Sequence, residues 1–227
     1  MRPLGDALAA RGFPVLAVRL AGHGTDPYDL GLTRWQDWYR SVEEGAARLL
    51  GTAPRIAVAG MSMGALLALH FAVARPDAVT ALVLCGTALR LTDPRACWLE
   101  LLGWAPAVTR RWMVSKTGGR DIADPVMRAA SSSYMAMPLA SVIELVRLQR
   151  LVRAELPRVT QPALLLHGRH DHSVPVSQMG ELRSRLGSQQ IEAHVLEQSW
   201  HVITTDVERA EVGRLAADFL ERIDVRR

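Results

Sequence analysis

The sequence predicts a single α/β domain in which helices flank a mostly parallel sheet. Short apolar stretches with strand character alternate with longer segments of helical period, as in consecutive βα units. The chain has 227 residues, of which 49% are hydrophobic and 22% are charged. This length and composition fit one soluble globular domain with a sizeable core, and they exclude disordered and fibrous proteins.

The alternating pattern assigns five strands and five helices. The predicted strands are Pro14–Leu20, Arg55–Ala59, Val79–Cys85, Ala163–His167 and Ile191–Leu196. The predicted helices are Pro3–Arg11, Trp35–Leu50, Ser62–Ala74, Val176–Leu186 and Val207–Ile223. Each strand is a short apolar run, whereas the helices carry apolar residues at helical spacing.

One region departs from the alternation. Residues 86–157 show no clear strand, and their apolar residues, among them Trp98, Trp104 and Trp112, recur at irregular helical spacing. We therefore expect a helical lid inserted into the domain at about residues 86–157, which we call the lid segment.

The composition excludes several classes of function. Apolar runs such as Ala78–Leu84 are too short to cross a bilayer, and the acidic, proline-containing start is unlike a secretory leader. We therefore expect a cytoplasmic protein without stable membrane insertion. The net charge is +4 and the pI is near 9.7, but the basic residues are scattered arginines with Lys116 the only lysine, which argues against nucleic-acid binding. Cys85 and Cys97 form no disulfide framework or metal cluster, so buried, inert thiols are expected.

The strongest motif is Gly60-Met61-Ser62-Met63-Gly64, which lies between a predicted strand and a predicted helix. A serine on so tight a turn is held in a strained backbone conformation that exposes its hydroxyl, and small residues are expected two positions before and after it. The following helix would direct unpaired amides at the reacting centre, so the backbone amide of Met63 is the predicted oxyanion donor. The alternative is an ordinary glycine-capped turn.

A serine hydroxyl needs a histidine as its base and a carboxylate to orient that histidine. Asp171 follows the predicted strand Ala163–His167, and His201 follows the strand Ile191–Leu196. Loops after parallel strands meet at one edge of the sheet, so Ser62, Asp171 and His201 are predicted to converge there as nucleophile, acid and base.

Other residues compete for these roles. His23, His70 and His194 are weaker candidates for the base, because they fall in an early loop, a helix and a strand. Three histidines surround Asp171 and are expected to tune it or to line the pocket: His167, His170 and His172. The rival acids, Asp124 and Asp206, are interpreted as surface or helix-capping residues.

These motifs together resemble bacterial carboxylesterases and monoacylglycerol lipases of the α/β-hydrolase superfamily. The resemblance spans nearly the whole chain and rests on Arg19–Thr25, Trp35–Trp38, Ser41–Gly45, Gly60–Gly64, Asp171–Pro175 and Ser199–Val202. It implies an α/β-hydrolase fold, the same three catalytic residues, a lid over an acyl-chain pocket, and lipid-like acyl esters, such as monoacylglycerols or short-chain esters, as substrates. It implies no cofactor or metal, because serine, histidine and carboxylate complete the acyl transfer. A thioesterase, a peptidase or a carbon–carbon bond hydrolase would share the triad.

The resemblance has one departure. The family normally begins with further strands and a His-Gly loop that supplies a second oxyanion donor, and these are not in the sequence. The missing third strand would lie between Pro14–Leu20 and Arg55–Ala59, so a gap in the sheet is expected. We expect the true start to lie upstream; the alternative is a weak or inactive remnant that binds an apolar ligand or a partner chain. Acyl-chain length and oligomeric state stay open.

Overall fold

The central sheet is parallel throughout. A computed structural model of the chain describes residues 1–92, 99, 106–115 and 119–223. Its strands are β1 (Ile56–Met61), β2 (Val79–Cys85), β3 (Met113–Ser115), β4 (Ala136–Pro138), β5 (Ala163–Gly168) and β6 (Ile191–Leu196). The central sheet has the order β1-β2-β5-β6, and each neighbouring pair in it is parallel. Four of the predicted strands are thus confirmed.

The helices cover both faces of this sheet. They are α1 (Arg2–Ala10), α2 (Pro27–Leu32), α3 (Trp35–Leu50), α4 (Met63–Ala74), α5 (Pro106–Thr109), α6 (Pro125–Ala130), α7 (Leu139–Glu155), α8 (Ser177–Arg185) and α9 (Arg209–Arg222). All five predicted helices are present. The short α2 was not predicted. Its first turn is held by the Asp26 carboxylate, which accepts a hydrogen bond from the Tyr28 amide.

Strand β2 shows how the two faces of the core are built. Its side chains alternate, so that Ala81, Val83 and Cys85 pack in one cluster with residues of α1 and α9. Leu82 and Leu84 point to the other face, where they join a cluster with residues of α3, α4 and α7. Because α4 is enclosed by the sheet and by other helices, it is apolar on all sides, with residues 65–69 no more than 2% exposed.

The prediction of a strand at Pro14–Leu20 is wrong. Among the described residues this segment pairs with no strand, and β1 lies at one edge of the central sheet. Three of its apolar side chains are exposed: Val15 by 43%, Leu16 by 36% and Val18 by 41%. The apolar pattern gives the residues strand character, but a strand also requires a neighbour to satisfy its backbone N–H and C=O groups. The described residues offer none on either side of this segment.

The lid segment contains α5, β3, α6, β4 and α7. The expectation of no strand there is wrong, because β3 and β4 form an antiparallel pair in which Met113 lies opposite Pro138. Strands of three residues are too short for an alternating pattern to be recognised. The long helix α7 packs on α4, with Leu148 and Val152 fully buried. Trp98, Trp104 and Cys97 lie outside the described residues, and Trp112 is 59% exposed. The division into one domain with a lid at 86–157 stays a prediction.

Two expectations concern the membrane and the thiols. In the part of the chain that the structure describes, no helix combines the length and the apolarity that a bilayer crossing requires. Cys85 is a free thiol and fully buried, as predicted, and burial raises the pKa of this thiol to about 12.

Candidate active site

Ser62 lies on the turn between β1 and α4, at the carboxyl edge of the sheet. Its backbone has φ 54° and ψ −116°, and among the described residues it alone combines a positive φ with a side chain. This conformation is costly for any residue with a Cβ and persists where the surroundings enforce it. The Ser62 amide donates a hydrogen bond of 2.8 Å to the carbonyl oxygen of Cys85, the last residue of β2. The strained turn predicted from the motif is therefore present.

The two glycines of the motif contribute unequally. A Cβ added to Gly60 would lie 2.3 Å from the carbonyl oxygen of Gly64, so only glycine fits where β1 meets the start of α4. A Cβ added to Gly64 would contact nothing within 4 Å. The expectation that both positions must be small for steric reasons is correct for Gly60 and wrong for Gly64.

The backbone amide of Met63, which the sequence predicts to be the oxyanion donor, lies at the start of α4. Met63 is the first residue of α4, so its N–H has no acceptor within the helix. The helix dipole adds partial positive charge at the same end. Ala65 donates its N–H back to the Ser62 carbonyl at 3.2 Å, which closes the first turn of α4 directly after the serine.

Asp171 and His201 form a hydrogen-bonded pair. The Nδ1 atom of His201 lies 2.7 Å from Oδ2 of Asp171, and the two side chains are 11% and 0% exposed. The other carboxylate oxygen accepts the amides of Ser173 at 2.9 Å and Val174 at 2.6 Å. His167, 1% exposed, places its Nε2 atom 2.8 Å from the carbonyl oxygen of Val174 and 3.1 Å from Oδ2 of Asp171. The structure therefore brings together the predicted acid and the predicted base.

The surroundings of Asp171 keep it ionised. Burial by itself would raise the pKa of Asp171, but hydrogen bonds from His167 and His201, the proximity of His201 and the Val174 amide together outweigh burial. They hold the pKa of this carboxyl well below its usual range. Of the three histidines around Asp171, His167 is the one within hydrogen-bonding distance of its carboxylate.

The loop that carries His201 reaches the same strand ends as Ser62. A Cβ added to Gly86, which directly follows β2 and has φ +51°, would lie 3.3 Å from both Nδ1 and Cε1 of His201. The imidazole therefore packs against the residue that follows Cys85, the hydrogen-bond acceptor of Ser62. The same loop also contacts β1, where the hydroxyl of the fully buried Thr204 donates to the sulfur of Met61 at 3.5 Å.

The competing histidines are engaged elsewhere. His23 contacts the carbonyl of Ala21 through Nδ1 at 3.0 Å. His70, on α4, pairs with Glu155 at 2.8 Å. His194 lies within β6, as predicted, and His170 is exposed. His172 is bound through Nδ1 to Asp121, at 2.9 Å, a residue that the sequence did not indicate. His201 is the histidine that pairs with Asp171 and also packs against Gly86, the residue after β2.

The two rival acids have different outcomes. Asp124 caps α6, as expected, by accepting the amides of Val126 and Met127 at 3.0 and 3.1 Å. The expectation that Asp206 is a surface or capping residue is wrong, because Asp206 is fully buried. Its carboxylate accepts four backbone amides, from Ala123, Asp124, Trp200 and Val207, at 2.8–3.0 Å. Asp206 thereby fixes the start of the loop that carries His201 to the lid segment. No local pattern marks such a role, since the donors lie up to 83 residues away.

A parallel sheet with helices on both faces, a strained serine after one strand and an aspartate–histidine pair on later loops defines the α/β-hydrolase fold. Two solved structures share this fold. A structure from work on LipS and LipT, two metagenome-derived lipolytic enzymes, superimposes with a TM-score of 0.87 at 28% identity and covers 98% of this chain and 87% of the other. The monoacylglycerol lipase of Paleococcus ferrophilus has a TM-score of 0.81 at 21% identity, with 97% and 88% covered.

The sequence comparisons identify the family. The family model described as serine aminopeptidase, S33, matches residues 1–208, and the chain belongs to this family. A thermostable monoacylglycerol lipase of Bacillus sp. strain H-257 is 31% identical over 225 residues, which is 98% of this chain and 85% of the relative. A carboxylesterase of Bacillus subtilis strain 168 is 24% identical over 99% of this chain and 87% of its own length. The protein is therefore a hydrolase, as the motifs predict.

Proposed function

We propose that the protein hydrolyses carboxylic esters of lipid-like substrates, monoacylglycerols or short-chain esters, through an acyl-enzyme on Ser62. The observation that carries this proposal is the buried Asp171–His201 pair, which lies at the same sheet edge as the strained serine. The names of two relatives, a monoacylglycerol lipase and a carboxylesterase, support esters as the substrate class.

The chemistry follows from the contacts of His201. Because Nδ1 faces Asp171, the proton on Nδ1 is fixed and Nε2 is the atom left to act as base. Nε2 takes the proton of the Ser62 hydroxyl while Oγ attacks the ester carbonyl carbon. The oxyanion that forms accepts a hydrogen bond from the Met63 amide. Collapse of this intermediate expels the alcohol, which receives the proton from His201. Water then attacks the acyl-enzyme by the same route and releases the acid.

The proposal includes the surroundings of the site. The lid segment is assigned to cover the acyl chain, because a large apolar wall suits such a group. The proposed reaction needs no cofactor or metal beyond these three side chains. A cytoplasmic location stays a prediction.

A substrate panel tests the proposed function. Initial rates are measured with p-nitrophenyl esters of short and long acyl chains, a monoacylglycerol, a thioester and an amide. We expect ester hydrolysis by the unmodified protein, and a loss of about 1,000-fold or more in Ser62→Ala and His201→Ala. His170→Ala is the matched control, because His170 is an exposed histidine beside Asp171; it should keep the unmodified rate. Full ester turnover by folded Ser62→Ala, or preferred turnover of the thioester or amide, would contradict the proposal.

A second candidate function is a non-catalytic remnant that binds an apolar ligand or a partner chain. The exposed apolar side chains of Val15, Leu16 and Val18 favour it, since neighbouring apolar residues at a surface suit association with a ligand or partner. It predicts a folded protein that turns over no member of the panel and forms oligomers in sedimentation.

A further inference from the structure

Asp121 is a buried carboxylate outside the proposed triad. It lies in the lid segment before α6 and is 6% exposed. Its oxygens accept three hydrogen bonds from the loop that follows Asp171. The donors are the amide of His172 at 3.1 Å, Nδ1 of His172 at 2.9 Å and the hydroxyl of Ser173 at 2.6 Å. A buried carboxylate with this set of donors is satisfied and holds its donors in place.

The backbone of Asp121 binds the loop that carries His201. Its carbonyl oxygen accepts the amide of Val202, the residue after His201, at 3.1 Å. The side chain of Asp121 thus binds the residues that follow Asp171, and its backbone carbonyl binds the residue that follows His201. Asp171 and His201 lie on loops that follow different strands, and Asp121 bridges these loops.

The bridging residue is itself anchored. Ile122, next to Asp121, is 1% exposed, and the two residues after it donate their amides to the buried Asp206. Asp206 also accepts the amide of Trp200, whose ring meets the His172 ring edge-on at a centroid distance of 4.7 Å. The same contacts therefore tie residues 121–124 to both loops at once.

We infer that Asp121 is a positioning residue, which fixes the distance and orientation of Asp171 relative to His201 and couples the lid segment to the proposed triad. This inference rests on the proposed function. Loss of the carboxylate releases the loop at His172 and Ser173, so Asp171 can move away from Nδ1 of His201. A displacement of about 1 Å in such a constellation is enough to lower the rate about 100-fold.

The test is Asp121→Asn, with Asp124→Asn as the matched control. Asp124 lies three residues further along the same segment, but its carboxylate binds the amides of α6 and Arg209 instead of the loop after Asp171. With a p-nitrophenyl ester, we expect kcat of Asp121→Asn to fall about 10- to 100-fold, with KM changed by less than about threefold. The rate of fluorophosphonate labelling should fall in parallel. Asp124→Asn should keep the unmodified kcat.

A spectroscopic readout reports on the pair itself. The proton between His201 and Asp171 gives a downfield proton resonance in NMR, which Asp171→Asn assigns by removing it. We expect Asp121→Asn to shift or broaden this resonance and Asp124→Asn to leave it in place. Because the resonance does not depend on turnover, failure of the proposed function would appear separately, as an unmodified protein that hydrolyses no ester.

Ser173→Ala is the milder second variant, because it removes one donor to Asp121 and leaves the carboxylate in place. It should lower kcat in the same direction as Asp121→Asn and with the same small change in KM. If Asp121→Asn does not fold, Ser173→Ala decides the question. A folded variant of either kind with the kcat and the resonance of the unmodified protein would overturn the inference.

Discussion

Replacing Ser62 by glycine should stabilise the protein while it abolishes activity. Ser62 has φ 54° and ψ −116°, a conformation that glycine adopts freely. Backbone strain of this kind costs about 1–3 kcal/mol. The matched control is Ser62→Ala, which removes the same hydroxyl but keeps the Cβ and hence the strain. Both variants should be inactive.

The magnitude follows from two opposing effects. Relief of strain favours glycine, whereas the greater freedom of glycine in the unfolded chain costs about 0.5–1 kcal/mol relative to alanine. At the middle of both ranges, the net effect is a stabilisation of Ser62→Gly over Ser62→Ala by about 1 kcal/mol. In a chain of this size, each kcal/mol corresponds to a rise in Tm of about 2–4 °C.

The assay is thermal unfolding of both variants, followed by circular dichroism at the same scan rate, with denaturant unfolding as a second measure. Ser62→Gly should have the higher Tm and the higher free energy of unfolding. Equal stability, or a lower Tm for Ser62→Gly, would refute the argument that the turn holds this serine under strain.

Four further predictions concern Asp171, Asp206 and Cys85. Asp171→Asn should lower kcat about 10,000-fold with little change in KM, while His170→Ala stays near the unmodified rate. Because the folded pKa of Asp171 is depressed, its contribution to stability is present above its unfolded pKa of about 3.9 and is lost as pH falls through the folded pKa. The difference in unfolding free energy between the unmodified protein and Asp171→Asn should therefore shrink below about pH 4. A difference that grows below this pH would contradict the expected sign. Asp206→Ala should lower the free energy of unfolding by about 3 kcal/mol or more in denaturant, since it leaves buried amides without an acceptor. A loss below about 1 kcal/mol would show that the hydrogen bonds to Asp206 contribute little to stability. In Cys97→Ser, Cys85 is the remaining thiol, and burial raises its pKa to about 12. We expect this thiol to resist an aromatic disulfide reagent at mildly alkaline pH until the protein is unfolded. Rapid reaction of the folded variant would show that the end of β2 is accessible.

Much of the fold follows from local patterns in the sequence. Strands β2 and β6 and helix α3 have the predicted bounds. The apolar run of β2, the alternation of apolar and polar residues in β6 and the long amphipathic stretch of α3 are each defined by their own residues. Local sequence patterns do not predict elements that depend on residues far away in the chain. Residues 14–20 have strand composition but no neighbour to pair with, and β3 and β4 are too short to show a period.

The same distinction applies to the site. Ser62, Asp171 and His201 could be proposed from sequence because chain order and position after a strand restrict where each lies in an α/β sheet. Asp121 and Asp206 could not, because nothing local distinguishes them from surface carboxylates. Their function depends on amides and hydroxyls that approach them from distant loops, and these contacts exist only in the folded chain.

Peptide mapping after reaction with a fluorophosphonate shows whether Ser62 is a nucleophile activated by His201. The folded protein is labelled, digested and analysed by mass spectrometry. The adduct should reside on the peptide that contains Ser62, should be absent from Ser62→Ala, and should form at least about 100-fold more slowly in His201→Ala. Folded protein that stays unlabelled, or an adduct on another residue with Ser62 unmodified, would contradict the account.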